Sequence, residues 1–385
     1  MRLLIAGGGT GGHIYPALAV ASALRRRPDA PELAWVGGRR GLEDQLVPPA
    51  GIPLRRLVLR SLRSVDRDVH LVLDPLRLAL SVPQAMWWLI RRRPAAIFTT
   101  GGYVAIPVLL AARALGIPTL LWEGNVIPGK SVRATARLAS ALAVSFEATC
   151  AALPARAGCF VTGTPIRDVA GISRVEARER LGIPPDARLV VVFGGSQAVR
   201  RLNDAVAAAL PSLVERAHVI HVAGPDGLDA ATAARTALPE ATRGRYRPEA
   251  FLGEELLDAL AAADLVVGRA GSSTLAEVTA FGLPMVVVPY PHAGAHQRAN
   301  AVVLANAGAA ELVADEAFDA AALLAAVDIL HDPARHAAMG AAARSLGRPG
   351  AADAVATLLL ALAERRTLPD HAAVTRLAAG AAGMP

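Results

Sequence analysis

Short apolar runs alternate with helical patterns along most of the chain, and this alternation constrains the fold more than any other feature. Each run ends in a turn that contains Gly, Pro or Ser. The runs lie at residues 2–6, 33–36, 95–98, 119–122 and 142–144, and again at 188–193, 218–222, 265–267 and 285–288. Strands that alternate with helices are typical of parallel sheets with helices on both faces. The sequence therefore predicts an α/β fold with two doubly wound domains that face each other across a cleft.

The length of the chain favours two domains, because 385 residues exceed the ~100–200 residues of an ordinary single core. We expect a first domain over residues 1–162 and a second over residues 163–348, with the linker where the strand-like run 159–161 ends. Residues 349–366 have a helical pattern long enough to return to the first domain and pack on it. Residues 367–385 are rich in Ala and Gly, and we expect a loosely held tail there.

Composition excludes several classes of protein. Hydrophobic residues make up 53% of the chain and charged residues 19%, which excludes an intrinsically disordered protein. Cys150 and Cys159 form no CxxC pair and are too few for a metal cage, so we expect neither a disulfide scaffold nor a structural metal. This cysteine usage fits a reducing compartment. The amino terminus lacks the features of a secretory signal, and no window reaches the ~18 uninterrupted apolar residues of a membrane span. We therefore expect a cytoplasmic chain that can lie on a membrane without crossing it.

Residues 54–93 form a basic segment with nine arginines and three aspartates, a net charge of 9 − 3 = +6. Bulky aliphatic residues and the pair Trp87 and Trp88 separate these charges. Such a mixture favours contact with an anionic membrane surface over contact with nucleic acid, and no nucleic-acid partner is expected. An ordinary core helix with an arginine-rich end explains the same residues, and both interpretations stay open.

A glycine-rich run at residues 7–12 lies between the first predicted strand and the first predicted helix. Glycines let a ligand approach the backbone, and a helix amino terminus offers N–H groups to an anion. The spacing matches neither the dinucleotide-binding fingerprint nor the P-loop of ATPases, which disfavours both classes. His13 follows the run and is a candidate general base, because an imidazole ordinarily titrates near neutral pH. A capping or packing histidine is the alternative.

Two further turns follow strands of the first half, at residues 101–103 and 123–125. They should lie at the same sheet edge as His13, where Tyr103 and Glu123 would suit a hydroxylated, sugar-like acceptor. Ordinary turn chemistry explains the same residues.

The second half contains turns that suit a nucleotide sugar. The turn at residues 193–197 could bind an anion, and Arg167 could supply charge to a diphosphate. The turn at residues 269–277 opens a helix, so its N–H groups would face a phosphate while Glu277 accepts hydrogen bonds from ribose hydroxyls. His292 and His296 have metal-ligand spacing, but Pro291 and a glycine between them disfavour a regular helix, and no metal site is expected.

Five of these motifs, in this order along the chain, resemble those of the MurG family. They lie at residues 8–13, 101–103, 194–196, 270–277 and 296–301. That family consists of UDP-N-acetylglucosamine:undecaprenyl-diphospho-muramoylpentapeptide beta-N-acetylglucosaminyltransferases of peptidoglycan synthesis. The resemblance implies a GT-B fold, in which two Rossmann-like domains bind the acceptor and UDP-GlcNAc respectively. It also implies an inverting transfer of N-acetylglucosamine to the 4-hydroxyl of the muramoyl sugar of lipid I, which gives lipid II.

The resemblance implies no cofactor, a peripheral position on the cytoplasmic side of the cell membrane, and cell-wall and division proteins among the partners. It makes His13 the catalytic candidate and assigns Tyr103 and Glu123 to the acceptor. The positions that it assigns to UDP-GlcNAc are Thr10, Gly11, Gly12, Asn125, Arg167, Ser196, Leu252, Ser272, Ser273, Thr274, Leu275, Ala276, Glu277 and Gln297.

Several positions depart from the family pattern. Trp122 and Gly124 stand where the family usually has His and Gln, and residues 198–199 read Ala-Val where it has Gly-Ala. Thr164 replaces the usual Asn. Three other readings stay open: a GT-B transferase that acts on another lipid or on a metabolite, a UDP-GlcNAc epimerase, and a noncatalytic nucleotide-sugar-binding scaffold. An epimerase would turn over the donor without any acceptor.

Overall fold

A computed structural model describes residues 1–39, 41–60, 70–154, 158–194, 200–291 and 296–380. The strands are β1 Arg2–Ala6, β2 Glu32–Arg39, β3 Leu54–Arg60, β4 Ala96–Thr99, β5 Thr119–Glu123, β6 Ala141–Val144, β7 Cys159–Val161, β8 Leu189–Phe193, β9 His218–Val222, β10 Tyr246–Glu249, β11 Leu265–Gly268, β12 Met285–Val287 and β13 Ala310–Leu312. The helices are α1 Gly11–Arg25, α2 Glu43–Leu46, α3 His70–Arg92, α4 Gly102–Leu115, α5 Lys130–Thr135, α6 Glu147–Ala152, α7 Arg174–Leu181, α8 Arg200–Arg216, α9 Leu228–Ala237, α10 Glu240–Arg243, α11 Glu255–Ala262, α12 Ser272–Ala280, α13 His296–Asn306, α14 Ala320–Val327, α15 Pro333–Leu346, α16 Ala351–Ala363 and α17 His371–Ala378. Short 3-10 turns lie at Ala136–Leu138, Pro225–Gly227, Asp315–Ala317 and Asp328–His331.

The chain divides into two compact units. The first unit contains Met1–Asp168 together with Arg348–Pro385, and the second contains Val169–Gly347. The first unit therefore ends a few residues later than residue 162, where the sequence predicts the boundary.

The first unit has a seven-stranded parallel sheet in the order β3-β2-β1-β4-β5-β6-β7. Its central strands are apolar and buried on both faces, as is typical of parallel sheets covered by helices. β1 pairs with β2 on one side and with β4 on the other, so the strand order reverses there. The loops after β1 and β4 meet at this reversal, where open α/β sheets bind ligands.

The second unit repeats this arrangement with a six-stranded parallel sheet in the order β10-β9-β8-β11-β12-β13. The reversal lies between β8 and β11, which pair in parallel. The prediction of two doubly wound parallel-sheet domains is confirmed. Sequence patterns missed β3, β10 and β13, and each of these lies at the edge of a sheet. Edge strands need no continuous apolar run, because one side of an edge strand has no neighbouring strand to bury it.

The segment at residues 54–93 is not one helix, because it contains β3 and α3 separated by residues 61–69, which lie outside the described residues. One face of α3 belongs to the core, where Ala85 and Leu89 are buried against β1 and α4 residues. The opposite face leaves large apolar side chains exposed to solvent. The core-helix interpretation therefore describes one face of α3, and the membrane-contact interpretation of the exposed face stays a prediction.

The carboxyl-terminal residues pack on the first unit. Val355 and Leu359 of α16 lie in the same buried cluster as Leu3 and Ile5 of β1. The expectation of a loosely held tail over residues 367–385 is wrong for α17, where Val374 and Ala378 are buried. The Asp370 carboxylate caps α17 by accepting a hydrogen bond from the Ala373 N–H, at 2.7 Å. Residues 381–385 lie outside the described residues.

Cys150 and Cys159 form a disulfide, with sulfur atoms 1.99 Å apart. One bridge is not the disulfide scaffold that the cysteine count disfavours, but the sequence pattern did not predict this bond. They lie on α6 and β7, which are adjacent in the fold, and spacing along the chain does not reveal this contact.

Residues 333–363 are long and apolar enough to cross a membrane by length and composition, the one such stretch in the described parts of the chain. They comprise two helices, α15 and α16, which belong to different compact units. About half of its apolar 18-residue window is buried inside the protein. These features are typical of core helices.

Candidate active site

His13 lies in the first turn of α1, directly after the glycine-rich loop that follows β1. Its Nδ1 lies 2.7 Å from the carbonyl oxygen of Thr100. Because a carbonyl can only accept, Nδ1 carries the proton of the neutral ring and Nε2 is its basic nitrogen. The Thr100 hydroxyl in turn donates to the His13 carbonyl oxygen, at 2.9 Å. These reciprocal bonds fix the imidazole against the loop that follows β4.

The second glycine loop lies beside the His13 ring. Gly101 and Gly102 adopt left-handed backbone angles, with φ of +82° and +74°. A Cβ placed on Gly102 would lie 3.7 Å from both Cδ2 and Nε2 of His13. The basic nitrogen therefore faces the second glycine loop, so a hydroxyl between the loops would lie within its reach.

Tyr103 is half-buried, and its hydroxyl lies 3.3 Å from the carboxylate of Glu43. Burial, assisted by the nearby negative charge of Glu43, raises the pKa of Tyr103. The phenol is therefore protonated at neutral pH and donates to Glu43.

Glu123 organises the loop that carries Asn125. One carboxylate oxygen accepts from the backbone N–H and the side-chain amide of Asn125, each at 2.9 Å, and the other accepts from Gly129 N–H at 2.8 Å. The side chain of Glu123 is 6% exposed. These contacts hold the loop that carries Asn125, which is the half-exposed member of the pair.

Two of the departures from the family pattern serve the interior of the first unit. Trp122 is buried in the core, and its indole N–H donates to the Gly163 carbonyl oxygen at 3.1 Å. The hydroxyl of Thr164 hydrogen-bonds that of Ser145, at 2.7 Å. Arg167 is half-buried and belongs to the first unit, as do Thr10, Gly11 and Gly12.

In the second unit, the amino terminus of α12 carries the residues expected to bind a nucleotide sugar. Ser272, Ser273 and Thr274 are half-exposed in its first turn, whereas Leu275 packs into the core. The Ser273 hydroxyl is the one buried side-chain oxygen or nitrogen without a hydrogen-bond partner in the parts of the chain that the structure describes. Glu277 follows one turn later and is 9% exposed. A helix amino terminus with an unsatisfied hydroxyl suits an anionic, oxygen-rich ligand.

Gln297 and Asn300 of α13 hold the loop that precedes α12. The side-chain oxygen of Gln297 accepts from Ala270 N–H at 3.2 Å and from Tyr290 N–H at 2.9 Å. The buried Asn300 amide donates to the Ala270 carbonyl oxygen, at 3.2 Å. Because its oxygen is engaged with the backbone, Gln297 would contact a sugar through its Nε2.

Arg269 braces the same loop from within. Its side chain is buried, donates to the Val288 carbonyl oxygen at 3.1 Å, and forms an ion pair with Asp315. Its guanidinium lies 5.5 Å from the centre of the Tyr290 ring. The loops after β11 and β12 are thus held together by side chains of Arg269 and Gln297.

The loop after β10 contributes Phe251 and Leu252. Leu252 packs into the core of the second unit, and Phe251 is 66% exposed. An exposed aromatic ring beside a buried neighbour suits the stacking of a planar base.

Some expected site residues cannot be located. Ser196, Ala198 and His292 lie outside the described residues. Within the described residues, no group of three or more His, Cys, Asp or Glu side chains could hold a metal ion.

Sequence reasoning missed Glu43, which contacts both glycine loops of the first unit. The segment at residues 37–43 reads as a glycine-rich, charged turn, in which an acidic residue is ordinarily exposed. Its place among several glycines is the signal that could have identified it.

Known protein families and relatives match this chain along nearly its whole length. The Glycosyltransferase family 28 N-terminal domain matches residues 3–144, and the corresponding C-terminal domain matches residues 189–355. The chain is 41% identical over 375 residues to the UDP-N-acetylglucosamine--N-acetylmuramyl-(pentapeptide) pyrophosphoryl-undecaprenol N-acetylglucosamine transferase of Desulforudis audaxviator (strain MP104C). This match covers 95% of the chain and 100% of the relative.

Two solved structures show how far the structural similarity extends. The crystal structure of Acinetobacter baumannii MurG matches with a TM-score of 0.73 and 28% identity, over 93% of this chain and 99% of that one. A UDP-N-acetylglucosamine 2-epimerase matches with a TM-score of 0.62 and 16% identity, over 96% and 99% of the two chains. The second match reflects the fold alone.

The two doubly wound units and the matched domains define a glycosyltransferase with the GT-B fold. The similarity to curated relatives, which extends over nearly the full length of the chain, identifies the family within that class. The chain belongs to the MurG family of N-acetylglucosaminyltransferases.

Proposed function

We propose that this enzyme transfers N-acetylglucosamine from UDP-GlcNAc to the 4-hydroxyl of the muramoyl sugar of lipid I, which forms lipid II. The observation that carries the proposal is His13, held by Thr100 with its basic Nε2 towards the second glycine loop. The names of the full-length relatives supply the donor and the acceptor class.

The first unit is the acceptor domain in this proposal. His13 Nε2 removes the proton of the acceptor hydroxyl while that oxygen bonds the anomeric carbon of the donor. The bond from this carbon to the diphosphate breaks in the same displacement, and UDP leaves with the electron pair. Attack from the side opposite the leaving group inverts the anomeric carbon.

The second unit is the UDP-GlcNAc domain. The α12 amino terminus stabilises negative charge on the diphosphate, because its N–H groups and dipole favour an anion. Glu277 accepts hydrogen bonds from the ribose hydroxyls, and Phe251 with Leu252 frames the uracil. The remaining donor contacts of the proposal come from Thr10, Gly11, Gly12, Asn125, Arg167, Ser196, Ser272, Ser273, Thr274, Leu275, Ala276 and Gln297.

The test is transfer of labelled N-acetylglucosamine from UDP-GlcNAc to a soluble lipid I analogue. We expect transfer by the wild type and a loss of about 100-fold or more in kcat for His13→Ala, because general-base catalysis contributes about 10²–10⁴-fold. His331→Ala is the matched control, since His331 is an exposed histidine of the second unit. UDP release without any acceptor would support an epimerase and refute the transfer. Full activity of His13→Ala would remove His13 from the chemistry.

We also propose that the exposed face of α3 holds the enzyme against the anionic cytoplasmic face of the cell membrane. Leu76, Leu80, Trp87 and Ile90 are each more than half exposed. Their spacing places all four on one side of the helix. The Arg91 guanidinium lies 4.7 Å from the centre of the Trp87 ring, so a cation accompanies the apolar face. Such a face suits the boundary between headgroups and acyl chains, where a lipid-linked acceptor resides.

Sedimentation with vesicles tests this membrane contact. Trp87→Ser should weaken binding to phosphatidylglycerol vesicles about 10- to 100-fold, because losing the burial of a large side chain costs about 1.5–3 kcal/mol. Trp87 is 57% exposed, so the fold should tolerate the change. Val175→Ser removes an exposed apolar side chain from the second unit and serves as the control. Equal vesicle binding by wild type and Trp87→Ser would refute the proposed contact.

A further inference from the structure

Glu43 is a fully buried carboxylate beneath the two glycine loops of the first unit, with 0% of its surface exposed. One oxygen accepts from Gly9 N–H at 2.9 Å. The other accepts from Gly38 N–H at 2.9 Å and from the Tyr103 hydroxyl at 3.3 Å. Burying a carboxylate is costly unless hydrogen bonds replace its hydration. These three donors provide that replacement.

Only glycine fits at several positions around Glu43, because the carboxylate occupies the space that a Cβ would need. A Cβ on Gly8 would lie 2.5 Å from one Glu43 oxygen, and a Cβ on Gly41 would lie 1.9 Å from the other. A Cβ on Gly38 would lie 2.4 Å from the Tyr103 hydroxyl oxygen. Part of the glycine-rich pattern therefore accommodates an internal carboxylate rather than a ligand.

The bonds of Glu43 reach both sides of His13. Gly9 has φ of +95° and precedes Thr10, the N-cap residue of α1. His13 lies in the first turn of that helix. Tyr103 follows Gly102, whose backbone borders the His13 ring. The first loop is thus joined to the second twice, through Glu43 on one side and through the Thr100 bonds of His13 on the other.

We propose that Glu43 is a positioning residue for the transfer reaction, one that sets the distance between the two glycine loops and so places the His13 imidazole. The inference rests on the proposed function, in which His13 serves the acceptor hydroxyl. Because Glu43 is completely buried, its role is to position other groups and not to touch a substrate. It acts by holding Gly9 and Tyr103 in one arrangement.

Glu43→Gln tests this role with almost no change in side-chain shape. The amide oxygen can serve Gly9 or the pair Gly38 and Tyr103, but the amide nitrogen is a donor and cannot accept from the other side. We expect kcat with a soluble lipid I analogue to fall about 100-fold, the effect of displacing a catalytic group by about 1 Å. UDP affinity measured by calorimetry should change much less than kcat, because the proposed ribose and uracil contacts lie in the second unit and only the donor contacts of Thr10, Gly11 and Gly12 lie in the displaced loop.

Hydrogen exchange supplies a second measurement for the same variant. Exchange should become faster at residues 8–13 and 100–104 and stay unchanged in β8 and β11. Asp44→Asn is the matched control, since Asp44 follows Glu43 on α2 but pairs with Arg56 at the surface, at 2.6 Å. We expect the control to retain wild-type kcat and exchange.

The outcomes separate this inference from the proposed function. A wild-type enzyme without transfer activity refutes the proposed function. An active wild type with an equally active Glu43→Gln variant overturns the positioning role alone. A fall in kcat that accompanies lost UDP binding and faster exchange throughout both units assigns Glu43 to stability and overturns the role as well.

Tyr103→Phe keeps the inference testable if Glu43→Gln does not fold. This variant removes one donor and leaves the carboxylate, so we expect a smaller fall in kcat and faster exchange confined to the two loops. An unfolded Glu43→Gln protein together with a fully active Tyr103→Phe variant would overturn the inference.

Discussion

Stability of the second unit should depend on pH through His221, a histidine of β9 that is 2% exposed. Its Nε2 lies 3.0 Å from Asn203 Oδ1, and its Nδ1 lies 2.8 Å from the Tyr246 hydroxyl. The Asn203 amide nitrogen donates to the Ala223 carbonyl, so Asn203 Oδ1 faces the ring as an acceptor. The neutral ring therefore donates from Nε2 and accepts at Nδ1 from Tyr246. Charging the ring disturbs this arrangement, because Nδ1 then carries a proton and can no longer accept from the Tyr246 hydroxyl.

The size of the effect follows from the pKa of His221. Burial lowers this pKa from 6.5 to about 4. Between these values the unfolded chain binds a proton more readily than the folded chain. The contribution of His221 to the free energy of unfolding is therefore fully present above pH 6.5 and is lost as the pH drops towards 4. Each pKa unit corresponds to about 1.4 kcal/mol. The free energy of unfolding should therefore fall by about 3 kcal/mol across this range.

His221→Gln isolates the contribution of this histidine, because glutamine does not titrate. Native-state hydrogen exchange at the β9 amides, corrected for intrinsic rates at each pH, measures the free energy of opening the second unit. The variant should be less stable than wild type at pH 7, and the difference should shrink by about 3 kcal/mol towards pH 4. His331→Gln is the matched control and should keep the wild-type pH dependence. Parallel curves for wild type and His221→Gln would refute the reasoning.

Tryptophan fluorescence supplies an internal reference in the same samples. All four tryptophans, Trp35, Trp87, Trp88 and Trp122, lie in the first unit. Their unfolding signal should show the same pH dependence in wild type and in His221→Gln.

Two further predictions concern the second unit. Glu277→Ala should weaken UDP-GlcNAc binding about 10- to 100-fold, since each hydrogen bond to a charged group contributes about 1.5–3 kcal/mol. Calorimetry measures this affinity, and an unchanged value would remove Glu277 from the ribose. Asp264→Ala should lower the free energy of unfolding by about 3–5 kcal/mol, because it removes the carboxylate that lies 2.8 Å from the buried Arg178 guanidinium and neutralises its charge. Urea denaturation with Asp258→Ala as the more exposed control measures the cost, and a loss below about 1 kcal/mol would contradict this role for the ion pair.

The sequence predicted most central strands because a strand buried on both faces reads as a continuous apolar run. β8, Leu189–Phe193, is such a strand, and every one of its residues is buried. β10 begins with Tyr246 and continues through Arg247 and Pro248, so its pattern resembles a loop. Only pairing with β9 makes it a strand.

Parts of the candidate site were likewise visible in the sequence, and other parts depended on tertiary contacts. The glycine run and His13 were visible in sequence, because glycines between a strand and a helix are unusual enough to indicate a ligand or a close approach. The orientation of the imidazole was not visible, since it depends on Thr100, which is distant along the chain. The disulfide between Cys150 and Cys159 was likewise hidden, because sequence spacing does not report which side chains face each other.

The sequence by itself determined the alternation of strands and helices, the doubly wound class and the loops that carry the site, because each depends on local apolar periodicity and turn residues. Tertiary structure alone decided that Glu43 is buried under the glycine loops and that Gln297 holds two backbones together. It also decided that α17 packs on the first unit instead of forming a loose tail. These features arise where segments distant in sequence meet, and the free energy of burying and pairing their polar groups depends on contacts that no local pattern records.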